Sequence, residues 1–239
     1  MNQEIIVERL FDKLIQGDRS GTRAIVNEAT EAGVSPEDLT HDVYWKALEM
    51  VNSLYRADQI STVAHHFATR LLRALVDQAQ ATYAVQPRRS RSILMFSGPS
   101  EADEMAGQLV ADLSEASGYD VCFGGGGVAA DEILAEVAKR HPDILLMFAS
   151  GPGDAPNIRQ IIDSIRTIGA VPDVQIVVGG GVFNRADGLA EEIGADLWAR
   201  DPRELLDKLA KFPARRASSD QRTVGRHRRN TSDSRTHAA

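Results

Sequence analysis

Apolar residues recur at helical spacing through the first third of the chain and at strand spacing after it. Ile6, Leu10 and Leu14 form one stripe closed by Gly17-Asp18, and Ile25, Val26 and Ala29 form a second closed by Gly33. Ser35-Pro36-Glu37-Asp38 reads as a helix start, with a capping hydroxyl, a proline in the first turn and acids at the positive end of the dipole. That start predicts a third helix reaching about Ala57. Ser61 and Thr62 cap a fourth, whose buried stripe is predicted to be Val63, Phe67, Leu71, Ala74 and Leu75. Four helices joined by short links predict an up-and-down bundle over residues 1–86.

Gln86-Pro87-Arg88-Arg89-Ser90-Arg91 breaks this pattern, so residues 87–91 read as a linker. From residue 92 to 212 short β-rich runs alternate with amphipathic helices. The strands are predicted at 93–96, 120–123, 144–149, 174–178 and 196–199, and the helices at 101–117, 129–140, 157–169, near 186–193 and 202–211. Parallel neighbours need long crossovers, so this alternation predicts an α/β unit: a parallel five-stranded sheet with helices on both faces. Ligands of such sheets bind beyond the carboxyl ends of the strands. Four glycine-rich clusters fall there: Ser97-Gly98-Pro99, Gly124 to Gly127, Ser150-Gly151-Pro152-Gly153 and Gly179-Gly180-Gly181. One such cluster makes a tight turn, whereas four on one edge let a ligand approach the backbone. None is a phosphate loop, because no cluster is followed by Lys and then Ser or Thr.

Charge changes the picture at the end of the chain. The formal net charge is −7, but residues 213–239 hold seven Arg against two Asp, which leaves −12 on residues 1–212. An acidic body argues against direct nucleic-acid binding by the core. The tail from 213 to 239, rich in Arg and nearly free of apolar residues, is predicted to be disordered. The single cysteine, Cys122, lies in an apolar run and is predicted to be buried, which suits a reducing compartment. Residues 1–8 mix charge with apolar positions and no run reaches the roughly 20 apolar residues of a membrane span. The expectation is a cytoplasmic protein with no membrane contact.

The stretch from Tyr55 to Phe67 sets an aromatic ring and a histidine pair across a helix-to-helix turn. His66 shares a face with Arg70, Arg73 and Asp77, a pattern that usually means a solvated surface. His65 leaves the helix about 100° away from it. With these residues the chain resembles cobalamin-binding modules, in which a helical bundle caps a flavodoxin-like, Rossmann-like domain and the corrin lies between them. The resemblance covers residues 5–210 and rests on Gly118-Tyr119-Asp120-Val121 leading to Gly124, Pro142-Asp143 before a strand ending near Ser150, Val177-Val178-Gly179-Gly180, and Ile193-Gly194-Ala195-Asp196.

The resemblance implies site residues. Light-sensing members carry Trp, nine residues, then Glu-His over the upper corrin face; here Tyr55, His65 and His66 take those places. The family's lower ligand is a histidine in an Asp-x-His-x-x-Gly loop after the first strand. This chain keeps Gly107 but has Ala102 for the Asp and Glu104 for the His, so that loop supplies no imidazole. A carboxylate suits low-spin cobalt or haem iron less well than imidazole does. His66 is then the best metal ligand. Tyr55, His65, His66, Arg70, Glu104, Gly107, Gly124, Gly125, Ser150, Gly151, Gly179, Gly180 and Gly181 are the implied cofactor residues. The cofactor implied is cobalamin, with haem or a linear bilin as alternatives on the same fold. The function implied is a non-enzymatic tetrapyrrole sensor that signals through a protein partner or a homo-oligomer. The alternatives are a corrinoid-carrying component of a methyltransferase system and an interaction module that has lost its cofactor.

Overall fold

The computed structural model describes residues 3–218 and Gln221. Helices α1 (Gln3–Gln16) and α2 (Arg19–Glu31) join through a tight turn in which the Asp18 carboxylate accepts from Gly21 N–H at 2.8 Å. The third helix starts as expected, Ser35 Oγ accepting from Asp38 N–H at 3.1 Å. It is not uniform: α3 (Pro36–Asp38) passes into a π-helical segment (Leu39–Tyr44) and then α4 (Trp45–Arg56). Helix α5 (Thr62–Gln80) opens with Ser61 as its cap.

The buried face of α5 differs from the stripe expected. His65, Ala68, Thr69, Leu72, Val76 and Ala79 face inward together with Leu71 and Leu75, while Val63 and Phe67 are 59% and 45% exposed. The helix carries two overlapping apolar stripes, and the one containing Ala68 and Thr69 lets neighbouring helices come closer. Phe67 instead covers Gly17 in the α1–α2 turn, where an added Cβ would stand 3.2 Å from its ring.

The sheet has the order β2-β1-β3-β4-β5, every pair parallel: β1 (Ser92–Ser97), β2 (Asp120–Gly126), β3 (Ile144–Phe148), β4 (Gln175–Gly179) and β5 (Leu197–Ala199). This is the flavodoxin-like order. Helices α6 (Glu101–Ala116) and α11 (Pro202–Lys211) pack on the face turned to the helical cap. Helices α7 (Ala130–Arg140) and α8 (Ala155–Ile168) cover the other face. The single helix expected near 186–193 is two short ones, α9 (Gly181–Arg185) and α10 (Leu189–Glu192), because Gly188 between them takes a left-handed conformation at φ +77°. Cys122 is half-buried rather than buried, since β2 is an edge strand.

One apolar cluster runs from Leu10, Leu48 and Leu72 of the cap through Met105, Leu109 and Leu113 of α6 to Ile144 and Leu146 of the sheet. The segment at 86–91 is pinned to the α/β unit. Gln86 N–H donates to Ala116 O at 2.7 Å, and Arg89 donates to Gly118 O and Ser117 O at 2.8 Å each.

The segment after Phe212 departs from the disorder expected of it as far as it is described. Ala217 N–H donates to Asp196 at 2.6 Å, Arg216 donates to Asp173 O, and Gln221 donates to Ala195 O at 2.8 Å. Backbone groups and polar side chains hold this strap where apolar packing is missing. The remainder of the expected disordered tail lies outside the described residues. No described helix is long and apolar enough to cross a membrane.

Candidate cofactor-binding site

Strand order reverses between β1 and β3, which opens a crevice at their carboxyl ends. A cavity of about 200 Å³ lies there, lined among others by Ser97, Gly98, Val128, Phe148, Asp154 and Asn157. A second cavity of about 300 Å³ separates the cap from the strand ends, and its walls include Trp45, Asn52, Arg56, Phe148, Ser150 and Arg185. Phe148 borders both. Trp45 meets it edge-on, with ring centroids 6.1 Å apart and planes at 85°. Cap and sheet therefore touch through aromatic rings in the middle of the cleft.

The predicted site residues separate into three groups. Tyr55 and His65 come together: their rings stack at 4.2 Å and 25°, and His65 Nε2 lies 3.3 Å from Oδ1 of Asn52, a residue of the cleft wall. His65 is 7% exposed, and burial lowers its pKa from the ordinary value. His66 is exposed, its ring 6.1 Å from that of His65. Arg70 lines a different groove, with Gln16, Gly17, Arg19 and Phe67, on the outer side of the cap.

The second group sits on the strand edge. Ser150 and Gly151 follow β3, Gly179 ends β4, Gly180 follows it and Gly181 opens α9. Gly180, at φ +102°, lies against the Ala149 carbonyl so closely that no side chain fits. Gly181 leaves room for the Arg185 guanidinium, which donates to Ser150 O. Gly125 lies near the carboxyl end of β2 with open space around it.

The third group has packing roles. A Cβ on Gly107 would stand 2.7 Å from the Phe123 ring, and one on Gly124 would stand 2.5 Å from the Phe96 ring, so both glycines let aromatic rings seat against backbone. Glu104 is half-buried on α6, one position beyond the residue that turns inward.

That inward residue is Asp103, which the sequence pattern marks only as an acid at a helix start. It is 2% exposed, its Oδ2 accepts from Ser100 Oγ at 2.6 Å, and its Oδ1 has no hydrogen-bond partner. Ser97 Oγ at the end of β1 is also buried without a partner. A Cβ on Gly98 would be 2.7 Å from Asp103 Oδ2 and 3.3 Å from Asp154 Oδ2, so the two carboxyl groups converge over that glycine. Burial, and then the Asp103 charge, push the Asp154 carboxyl above its ordinary pKa. Across the cleft, burial and then Arg185 depress the Arg56 guanidinium. The available clue to Asp103 was the Ser-x-x-Asp spacing from Ser100, which marks a helix start and says nothing of a cleft.

A helical cap closing on the carboxyl edge of a doubly wound sheet, with a glycine-lined crevice at the switch point, defines a two-module cofactor-binding protein. Known proteins give the family. Two family models, each described as a B12 binding domain, match residues 6–80 and 91–207. The chain belongs to this B12-binding family, and cobalamin, rather than haem or a bilin, is its cofactor. Monomethylamine corrinoid protein 1 of Methanosarcina mazei is 22% identical over 209 residues, covering 85% of this chain and 94% of that protein. Monomethylamine corrinoid protein 2 of the same organism is 20% identical over 210 residues, covering 85% and 95%. The solved structure of the Methanosarcina barkeri monomethylamine corrinoid protein has the same fold, with a TM-score of 0.76 at 18% identity, over 88% of this chain and all of that one.

The residues fit the body of a corrinoid. Glycines border both cavities, the unpartnered hydroxyl of Ser97 belongs to the lining of the one at the switch point, and Asp103 stands behind Gly98 of that lining with one oxygen unpartnered. They fit a cobalt–imidazole bond less well. Among the described residues the α/β unit has one histidine, His141, which caps α7 at the opposite end of the sheet. No cluster of three metal-ligating side chains occurs among them either.

Proposed function

We propose that this chain is the corrinoid-carrying component of a methyl-transfer system, held in a partner methyltransferase's reach and having no catalytic residues of its own. The observation that carries the reading is likeness across both modules, in one order and over 85% of the chain, to monomethylamine corrinoid proteins. A bound corrinoid supplies a cobalt that accepts and releases a methyl group. The chain's own part is to bind and orient. The glycine edges admit the ligand to the backbone, Arg56 and Arg185 face each other across the opening, and the stacked Tyr55–His65 pair stiffens the cap beside Asn52.

What favours a carrier over the sensor implied by the Tyr55, His65, His66 pattern is that His66 is exposed. Its ring is not part of the lining of the cavity between cap and sheet. The cleft of about 300 Å³ is at the small end for a ligand pocket, and a corrin needs more room, so entry separates Trp45 from Phe148.

The test is reconstitution of the purified chain with cobalamin. A carrier elutes with corrinoid bound and, after reduction, takes a methyl group from methyl iodide, as its visible spectrum reports. A colourless protein overturns the reading. A loaded protein that changes oligomeric state in light and accepts no methyl group favours the sensor.

A further inference from the structure

The sheet side of the cleft offers a bound ligand oxygen and no nitrogen base. At the end of β1, Ser97 Oγ is buried without a partner. One turn into α6, Asp103 is 2% exposed with Oδ1 unpartnered, and its other oxygen is within 2.7 Å of the space beside Gly98. Asp154, from the loop after β3, brings a second carboxyl group to the same spot. These three residues come from the end of β1, the start of α6 and the connection after β3, which flank the switch point, and Ser97, Gly98 and Asp154 line one cavity. Leaving a buried carboxylate oxygen unmatched costs free energy, so an arrangement that keeps one points to a ligand that supplies the missing donor.

Ser100 explains half of Asp103. Its hydroxyl accepts from Asp103 N–H at 3.0 Å and donates to Oδ2 at 2.6 Å, the reciprocal contact of a helix cap. A cap needs only one carboxylate oxygen. Oδ1 is left over, and Arg56, the cation of the cap that feels the Asp103 charge, makes no ion pair with it. Glu104, the residue that the family resemblance sets in the ligand place, lies half-buried on the next position of the helix, about 100° around it.

We infer that Asp103, not Glu104, faces the sheet side of the bound corrinoid, and that it takes up N–H donors of the ligand's carboxamide groups while giving cobalt no nitrogen from this side. Hard oxygen donors are poor partners for low-spin cobalt, so the carboxyl group acts through hydrogen bonds to the ligand's amide groups and not through a bond to the metal. Asp103 is thus a positioning residue. The inference rests on the corrinoid-carrying reading and deepens it by assigning the face beneath the cobalt.

The experiment is electron paramagnetic resonance of the full chain loaded with cob(II)alamin, prepared with natural-abundance and with nitrogen-15-labelled protein. In the native protein no splitting of the cobalt lines responds to the label. Asp103→His introduces an imidazole at this face and produces a nitrogen splitting that changes from triplet to doublet on labelling; Glu104→His produces none. Label-sensitive splitting in the native protein overturns the inference, as does splitting gained by Glu104→His and not by Asp103→His. The native spectrum decides the first point even if a variant fails to fold. For the acceptor role, Asp103→Ala weakens cobalamin binding about tenfold, the scale of a lost hydrogen bond to a charged group, and an unchanged affinity counts against it. A chain that binds no cobalamin overturns the carrier reading itself, a result distinct from bound cobalt with the wrong ligand.

Discussion

The two ends of the sheet treat their buried polar groups in opposite ways. At the amino ends, Asp196 is 2% exposed and fully engaged: Arg166 Nη2 donates to its two oxygens at 2.8 and 2.7 Å, Ile176 N–H at 2.6 Å and Ala217 N–H at 2.6 Å. Gln175, wholly buried beside it, donates to Phe212 O and Arg215 O and accepts from Arg91. At the carboxyl ends, Asp103 is as deeply buried yet keeps one oxygen free, and Ser97 keeps its hydroxyl free. Burial alone therefore does not mark a site. What sets Asp103 apart is that its incomplete oxygen stands with the unpartnered Ser97 hydroxyl and Asp154 at the glycine-lined crevice, and that placement is what points to a ligand.

The largest effect that tests this contrast is Asp196→Ala. It leaves Arg166 and two backbone N–H groups unmatched at a buried position, so unfolding free energy should fall by about 3–5 kcal/mol while the folded fraction still binds cobalamin normally. A loss below about 1 kcal/mol in urea unfolding would show that the amino-end network is loosely held.

Truncation after Phe212 comes next. It removes the Ala217, Arg216 and Gln221 contacts, all far from the cleft, and should cost on the order of 2 kcal/mol of stability with cobalamin affinity changed by less than about 1 kcal/mol. An affinity loss without a stability loss would reverse the roles assigned to the two ends.

Asp112 on α6 is a third buried acid, placed between them. Burial is the main cause of its rise from 3.8 to about 6, and Asp77 and Glu115 add to it, against a 2.7 Å hydrogen bond from Gln108. The folded chain holds this proton more tightly than the unfolded chain does. Its contribution therefore makes stability fall as pH rises from about 4 to about 6, and the deficit persists above that range. Asp112→Asn should flatten that slope and raise stability at pH 7 by on the order of 1 kcal/mol after allowance for solvent screening. Thermal unfolding across pH 4–7 checks it, and an unchanged slope would assign the dependence to other groups.

The smallest contrast is between the two histidines. His65→Ala removes the ring stacked on Tyr55 and should cost about 1–2 kcal/mol, whereas His66→Ala should stay within about 0.5 kcal/mol, as exposed substitutions do. Equal losses would mean that the cap is not packed through His65.

Much of this architecture was already legible in the residues. Two rhythms of apolar spacing divide the chain near Gln86, five β-rich runs fall where strands form, and the glycine clusters lie at one sheet edge, because period and turn chemistry are local properties of the chain. Other features depend on neighbours distant in sequence. Which stripe of α5 turns inward, and so whether His65 or His66 is buried, was settled by contact with the rest of the cap. Gly107 and Gly124 proved to be seats for Phe123 and Phe96, and the start of the basic tail became a strap because Asp196 and Asp173 were there to hold it. Asp103 shows the limit most clearly. Its spacing from Ser100 specifies a helix cap, but the spare oxygen acquires meaning only when β1 and β3 bring Gly98 and Asp154 beside it, since a side chain's free valence is set by what the fold packs around it.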